Sequence, residues 1–103
     1  MRFMVKVAWD VQAGNTLVRQ GTLGSTVESI LAGLKPEAAY FTAEGGKRGG
    51  ILIVNLDDPS QIPAVAEPWF LACNATVEIM PVMLPEDLKK AGTAIGEAVS
   101  RYG

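Results

Sequence analysis

The sequence predicts an α+β fold in which an antiparallel sheet carries its helices on one face. Three observations predict it. Four short stretches read as strands, the first and fourth with two distinct faces and the third apolar on both, the segments between them have helical spacing, and the order that results is β-α-β-β-α-β with a further C-terminal helix. With 103 residues the chain is expected to form one domain, 1–103. A chain of this size buries roughly two thirds of the surface its unfolded form exposes, which is enough for one core.

In the first strand Phe3, Val5, Val7 and Trp9 alternate with Arg2, Met4, Lys6 and Ala8, and Asp10 ends it. Val11 to Gly14 reads as a loop, with Asn15 as a helix cap. Leu17, Val18, Gly21, Gly24, Val27, Ile30, Leu31 and Leu34 then fall near helical spacing. Gly21 and Gly24 each cost about 1 kcal/mol relative to alanine, so they either split the helix at Gln20–Thr22 or let it lie close on a sheet. Pro36 ends the helix and pushes Lys35 towards an extended conformation.

Ala38 to Thr42 is the second strand, Ala43 to Gly50 a glycine-rich turn, and Ile51 to Leu56 a third strand. Because that third strand is apolar on both sides, it is expected at the sheet centre, covered twice. Asp57 and Asp58 precede Pro59 as an acidic helix start. The helix runs from about Ser60 to Ala72 on a stripe of Ile62, Val65, Ala66, Trp69 and Cys73, and Pro68 is expected to kink or interrupt it. The fourth strand, Thr76 to Met83, has Val77, Ile79 and Pro81 on one face and Thr76, Glu78, Met80 and Val82 on the other. From Pro85 a last helix carries Leu88, Ala91, Ile95, Val99 and Tyr102.

This order is the ferredoxin-like split βαβ arrangement, with both helices on one face of the sheet. The opposite face would hold Met4, Lys6, Ala8, Glu78, Met80 and Val82 with half of the third strand. Hydrophobic residues make up 49% of the chain and charged residues 19%, below the roughly 25% usual for soluble domains. The surplus apolar surface predicts an interface on that face, closed by a second copy in a homodimer.

Met1 to Val5, the run Glu67-Pro68-Trp69-Phe70, and Pro81-Val82-Met83 before Pro85-Glu86-Asp87-Leu88 resemble a family of small bacterial proteins in the dimeric α+β barrel superfamily. The likeness covers nearly the whole chain, and its motifs are structural. It implies a homodimer whose two sheets form a barrel with a cavity. Relatives in that superfamily include cofactor-free monooxygenases, muconolactone isomerases and haem-dependent chlorite dismutases, so membership does not choose a function. The histidines several of them use have no counterpart here, since the chain has none.

Five residues are the candidate ligand-binding set: Lys6, Trp9, Tyr40, Trp69 and Glu78. Lys6 and Glu78 face each other across the first and fourth strands as a polar pair that would orient an anionic or enolic molecule, against the plainer reading of a solvated ion pair. Trp9, Tyr40 and Trp69, with Asp10 and Phe70, would line a pocket for a planar ligand, against the plainer reading of core packing. Gly45 to Gly50 lacks the phosphate-loop spacing and leads into a strand, so it reads as a hairpin turn. Arg48-Gly49-Gly50 begins like an RNA-recognition strand but carries no stacking aromatics. Cys73 reads as an inert buried thiol, and the paired acids at 57–58 and 86–87 as helix starts.

The expectation is therefore a homodimeric α+β barrel protein that binds a small apolar or weakly acidic molecule in the barrel. The alternative is a cofactor-independent oxygenase or isomerase using Lys6, Tyr40 and Glu78. No cofactor or metal is expected. With net charge −2 and no basic run, nucleic acid is not an expected partner. The N-terminal apolar run is broken by Lys6 and Asp10 and no window is long enough to span a bilayer, which predicts a cytoplasmic protein without membrane contact.

Overall fold

A computed structural model describes residues 1–103. Strands β1 (Arg2–Ala8), β2 (Ala38–Glu44), β3 (Lys47–Asn55) and β4 (Thr76–Pro81) form one antiparallel sheet in the order β2-β3-β1-β4. Helices α1 (Val11–Arg19) and α2 (Leu23–Leu34) follow β1, and α3 (Ile62–Cys73) follows β3. Helices α4 (Pro85–Lys90) and α5 (Gly92–Tyr102) end the chain.

Local chemistry sets the boundaries. The cap of α1 is Asp10, whose Oδ2 accepts from the Ala13 N–H at 2.9 Å, so the expected loop at Val11–Gly14 is the first turn of a helix. Gly21, at φ +71°, separates α1 from α2 in a conformation only glycine adopts freely. Lys35 closes α2 in the left-handed region at φ 48°, not in the expected extended conformation. The hairpin between β2 and β3 turns on Gly45 and Gly46 alone, both at positive φ, as a two-residue turn matched to strand twist requires. Both strands are therefore longer than the sequence suggested. Pro68 lies within α3, which nevertheless runs unbroken to Cys73.

One face of the sheet carries the core. Val5, Val7, Trp9, Leu52, Val54 and Leu56 from the sheet meet Ile30 of α2 and Val65, Trp69 and Cys73 of α3. The register explains why they share a face: Val5 lies between Leu52 and Ile79, and Val7 between Gly50 and Val77.

The other face is bare, and here a central expectation is corrected. The sheet does not close into a barrel. It is an open four-stranded sheet with β2 and β4 as free edges, it encloses no barrel cavity, and no dimer is evident. Met4, Ile51, Ile53 and Met80 on this face are half-buried, and the only large apolar side chain of this face that is mostly exposed is Tyr40. Other exposed apolar side chains include Phe41 of β2, Phe70 and Leu71 of α3, and Leu88, Ile95, Val99 and Tyr102 of the last two helices.

Those last helices form an arm. The single C-terminal helix expected from the sequence is broken at Ala91, and every residue from Pro85 onward except Ala91 is exposed. The arm draws the molecule out to 59 × 28 × 20 Å with a radius of gyration of 17.3 Å, against about 13 Å for a compact chain of this length.

Two outcomes follow. Deleting 85–103 leaves the unfolding free energy of the body within about 1 kcal/mol of the intact chain, as measured in urea; a much larger loss would mean that the arm packs on the body. Gly49→Ala costs about 1–3 kcal/mol by the same measurement, because its Cβ would stand 2.8 Å from the Val7 carbonyl oxygen and both belong to the ladder.

Candidate functional site

The five residues expected to share a site divide between the two faces of the sheet. Lys6, Tyr40 and Glu78 lie on the bare face, and Trp9 and Trp69 lie in the core on the other side. A single pocket holding all five is therefore not built.

On the bare face Lys6 stands directly opposite Glu78 in the β1–β4 register, but its ammonium does not bond to it. Lys6 Nζ instead donates to Glu44 Oε1 at 2.9 Å, reaching across β3 to the end of β2. The β3 residue on the diagonal between them is Gly49, which has no side chain to block the long lysine. The Glu44 hydrogen bond and charge raise the Lys6 pKa above 10.5, with a smaller contribution from Glu78. A recess of about 140 Å³ lies beside the pair, lined by Lys6, Glu44, Thr76 and Glu78. Tyr40 is not part of it and is 69% exposed. The acid–base trio of the enzymatic alternative is not assembled.

On the helix-covered face Trp9 and Trp69 pack edge to face with centroids 5.5 Å apart. Both indole N–H groups are buried without a hydrogen-bond partner. The Trp9 N–H leans towards Cys73, which lowers the thiol pKa slightly but falls short of a hydrogen bond. Burial is the larger influence and pushes the thiol up, so the thiolate is disfavoured.

Beyond Trp9 the core opens into a groove of about 340 Å³ between α2 and the hairpin end of the sheet. Trp9, Leu23, Val27 and Phe41 give it apolar walls. The Phe41 ring lies 6.3 Å from that of Trp9, and it occupies the space that a side chain at Gly50 would fill. Gly24 of α2 borders the groove with open space where a Cβ would stand.

The polar member is Arg48. Its Nη1 donates to Asn15 Oδ1 at 3.0 Å, and the guanidinium lies over Gly14 of α1, where a Cβ would stand 2.8 Å from Nη1. The chain's two ion pairs are Arg2–Glu37 and Lys6–Glu44, so Arg48 is half-buried without a carboxylate partner. The sequence reading missed this group because it assigned Arg48 to the turn. Extending β3 to Lys47 puts Arg48 in step with Leu52 and Val54, on the core side, and the two-residue Gly45-Gly46 turn was the available signal.

A larger hollow of about 640 Å³ sits at the elbow between the sheet and the arm, bordered by Arg2, Asn55, Val82 and Asp87. Of its lining only Asp87 belongs to the arm, whereas the groove beside Arg48 is bordered by α2, β2, β3 and Trp9. Asp57, Asp58 and Asp87 serve turns and helix starts, with Asp58 Oδ1 accepting from Ser60 N–H at 2.8 Å and Asp87 Oδ2 from Leu84 N–H at 2.9 Å. No three His, Cys, Asp or Glu side chains converge where they would hold a metal ion. No helix is long and apolar enough to cross a membrane.

Residues 1–96 match a family described as a domain of unknown function, DUF3303. This match and the open sheet replace the resemblance to the dimeric α+β barrel superfamily. Comparison with curated proteins gives no match.

The bare-face geometry makes a titration prediction. Because the Lys6 pKa is raised in the fold, its pair with Glu44 contributes stability below pH 10.5 and loses it as pH rises through the higher folded value. Glu44→Gln lowers the Lys6 Nζ pKa read by NMR more than Glu78→Gln does. Equal effects would mean that Lys6 is shared between the two carboxylates.

Proposed function

The chain belongs to the DUF3303 family, and we propose that it is a small-molecule-binding domain whose ligand sits in the groove between α2 and the hairpin end of the sheet. The observation that carries this reading is the groove itself: about 340 Å³, walled by Trp9, Leu23, Val27 and Phe41, and framed by packed secondary structure. Ligand sites are typically concave, mostly apolar and largely pre-formed, with a few polar groups that fix orientation. Trp9 and Phe41 present rings inclined at 58°, a corner into which a flat or branched apolar body fits.

Of the residues singled out in the sequence, Trp9 borders this site directly, and Trp69 supports it by holding the Trp9 ring from below. Lys6, Tyr40 and Glu78 lie on the other face and take no part in it. The site thus differs in position from the barrel interior that the sequence suggested.

Gly24→Leu gives a test that spares the fold. Gly24 is the second residue of α2 and borders the groove, so the new side chain enters open space at its edge without meeting the packed body. Calorimetric titration with phenylacetate and phenylacetamide, followed in parallel by tryptophan fluorescence, is expected to detect binding to the native chain and none to Gly24→Leu. Unchanged binding in the variant, or no binding of either probe to the native chain, contradicts the proposal.

A further inference from the structure

We infer that the ligand is a short extended peptide, which adds a fifth strand to the free edge of β2 and sends alternate apolar side chains into the groove. This inference rests on the groove being a ligand site and goes further by naming the class of ligand that the site takes.

The hydrogen-bond register decides which backbone groups the edge leaves open. Trp9 N–H donates to the Arg48 carbonyl at 2.9 Å, and Leu56 N–H to the Met1 carbonyl at 3.0 Å. These two bonds set the phase of β3. Arg48, Gly50, Leu52 and Val54 turn their backbone groups to β1, and Lys47, Gly49, Ile51 and Ile53 turn theirs to β2. The partners of the second set, Ala38, Tyr40, Thr42 and Glu44, therefore complete the ladder. Ala39, Phe41 and Ala43 point their N–H and C=O groups away from the sheet, and no turn or loop bond of the chain uses them.

The complement of such a row of donors and acceptors is another extended backbone. Strand β2 has none of the devices that guard an edge: it keeps register over seven residues without proline, lysine or bulge. The opposite edge is guarded. Val82 N–H donates to the Arg2 carbonyl, so Val77, Ile79 and Pro81 are the outward residues of β4, and Pro81 has no N–H to offer.

Side chains follow from the same register. A residue paired with Phe41 shares its face of the sheet, and there Phe41 borders the groove with Leu23 and Val27 of α2. The peptide residues that bond to β2 are thus those whose side chains enter the apolar groove. Those between them lie on the bare face beside Tyr40 and Thr42. Tyr40 and Phe41 are both exposed, and an added strand covers one on each face.

The probe is acetyl-Thr-Leu-Thr-Phe-Thr-amide, titrated calorimetrically into the full chain. N-methylation of its leucine and phenylalanine removes the donors aimed at β2 and is expected to weaken binding about tenfold. N-methylation of its threonines alters only N–H groups that face solvent and leaves the affinity as it was. Ala43→Pro removes an outward N–H that the ladder does not use, and is expected to weaken the peptide similarly while phenylacetate binds as before. Equal effects of the two methylation patterns overturn strand addition. Binding of phenylacetate without binding of the peptide also overturns it and leaves the groove as a ligand site. A dimer that Ala43→Pro dissociates, with no peptide bound, gives the edge to a second copy and overturns it too. Failure of peptide and phenylacetate alike overturns the ligand site and this assignment with it.

Discussion

The close approach of β3 to β1 at Gly49, and to β2 at Gly50, governs how this end of the molecule is built. A Cβ at Gly49 would stand 2.8 Å from the Val7 carbonyl oxygen, and one at Gly50 would stand 2.9 Å from the Phe41 ring. Without side chains at these positions the strands keep their ladder up to the turn, and Phe41 folds inward over its neighbour. Trp9 is then roofed by Phe41 and braced by Trp69, and the gap between Phe41 and α2 becomes the groove. A bulkier pair would fill this gap with protein.

The same sheet presents two different kinds of surface. Its inner face is a conventional core, with Val5 and Leu52 fully buried. Its outer face looks oily in the sequence, yet Met4, Ile51, Ile53 and Met80 are half-buried there and the Lys6–Glu44 pair spans from β1 to β2 on the same face. The high apolar content of the chain is accounted for by the core and by the arm, where Leu88, Ile95, Val99 and Tyr102 form an exposed stripe. Reasoning from composition to a barrel failed because composition does not say on which element the surplus falls.

Much of the strand pattern was legible, because period-two alternation in β1 and β4 depends only on which residues are apolar. The residues that decide the site were not. Arg48 and Gly49 look like turn residues until Gly45 and Gly46 are recognised as sufficient for the hairpin, and extending β3 back from Ile51 to Lys47 takes Arg48 out of the turn and onto the core side of the strand. The Lys6–Glu78 pairing was visible as a register, but the register does not reveal that Glu44 on β2 lies within reach of the long lysine side chain. Trp9 and Trp69 were visible as aromatic candidates. Their edge-to-face contact, and the separation of both from Tyr40, depend on which face of the sheet the helices cover.

The position of the ligand is the central claim, and amide chemical-shift mapping tests it most directly. On adding phenylacetate to the isotope-labelled full chain, the largest shifts are expected at Trp9, Gly24, Val27, Phe41 and Arg48, with the Trp9 indole N–H among them. Shifts concentrated at Met4, Lys6, Tyr40 and Glu78 would place the ligand on the opposite face of the sheet and contradict this account.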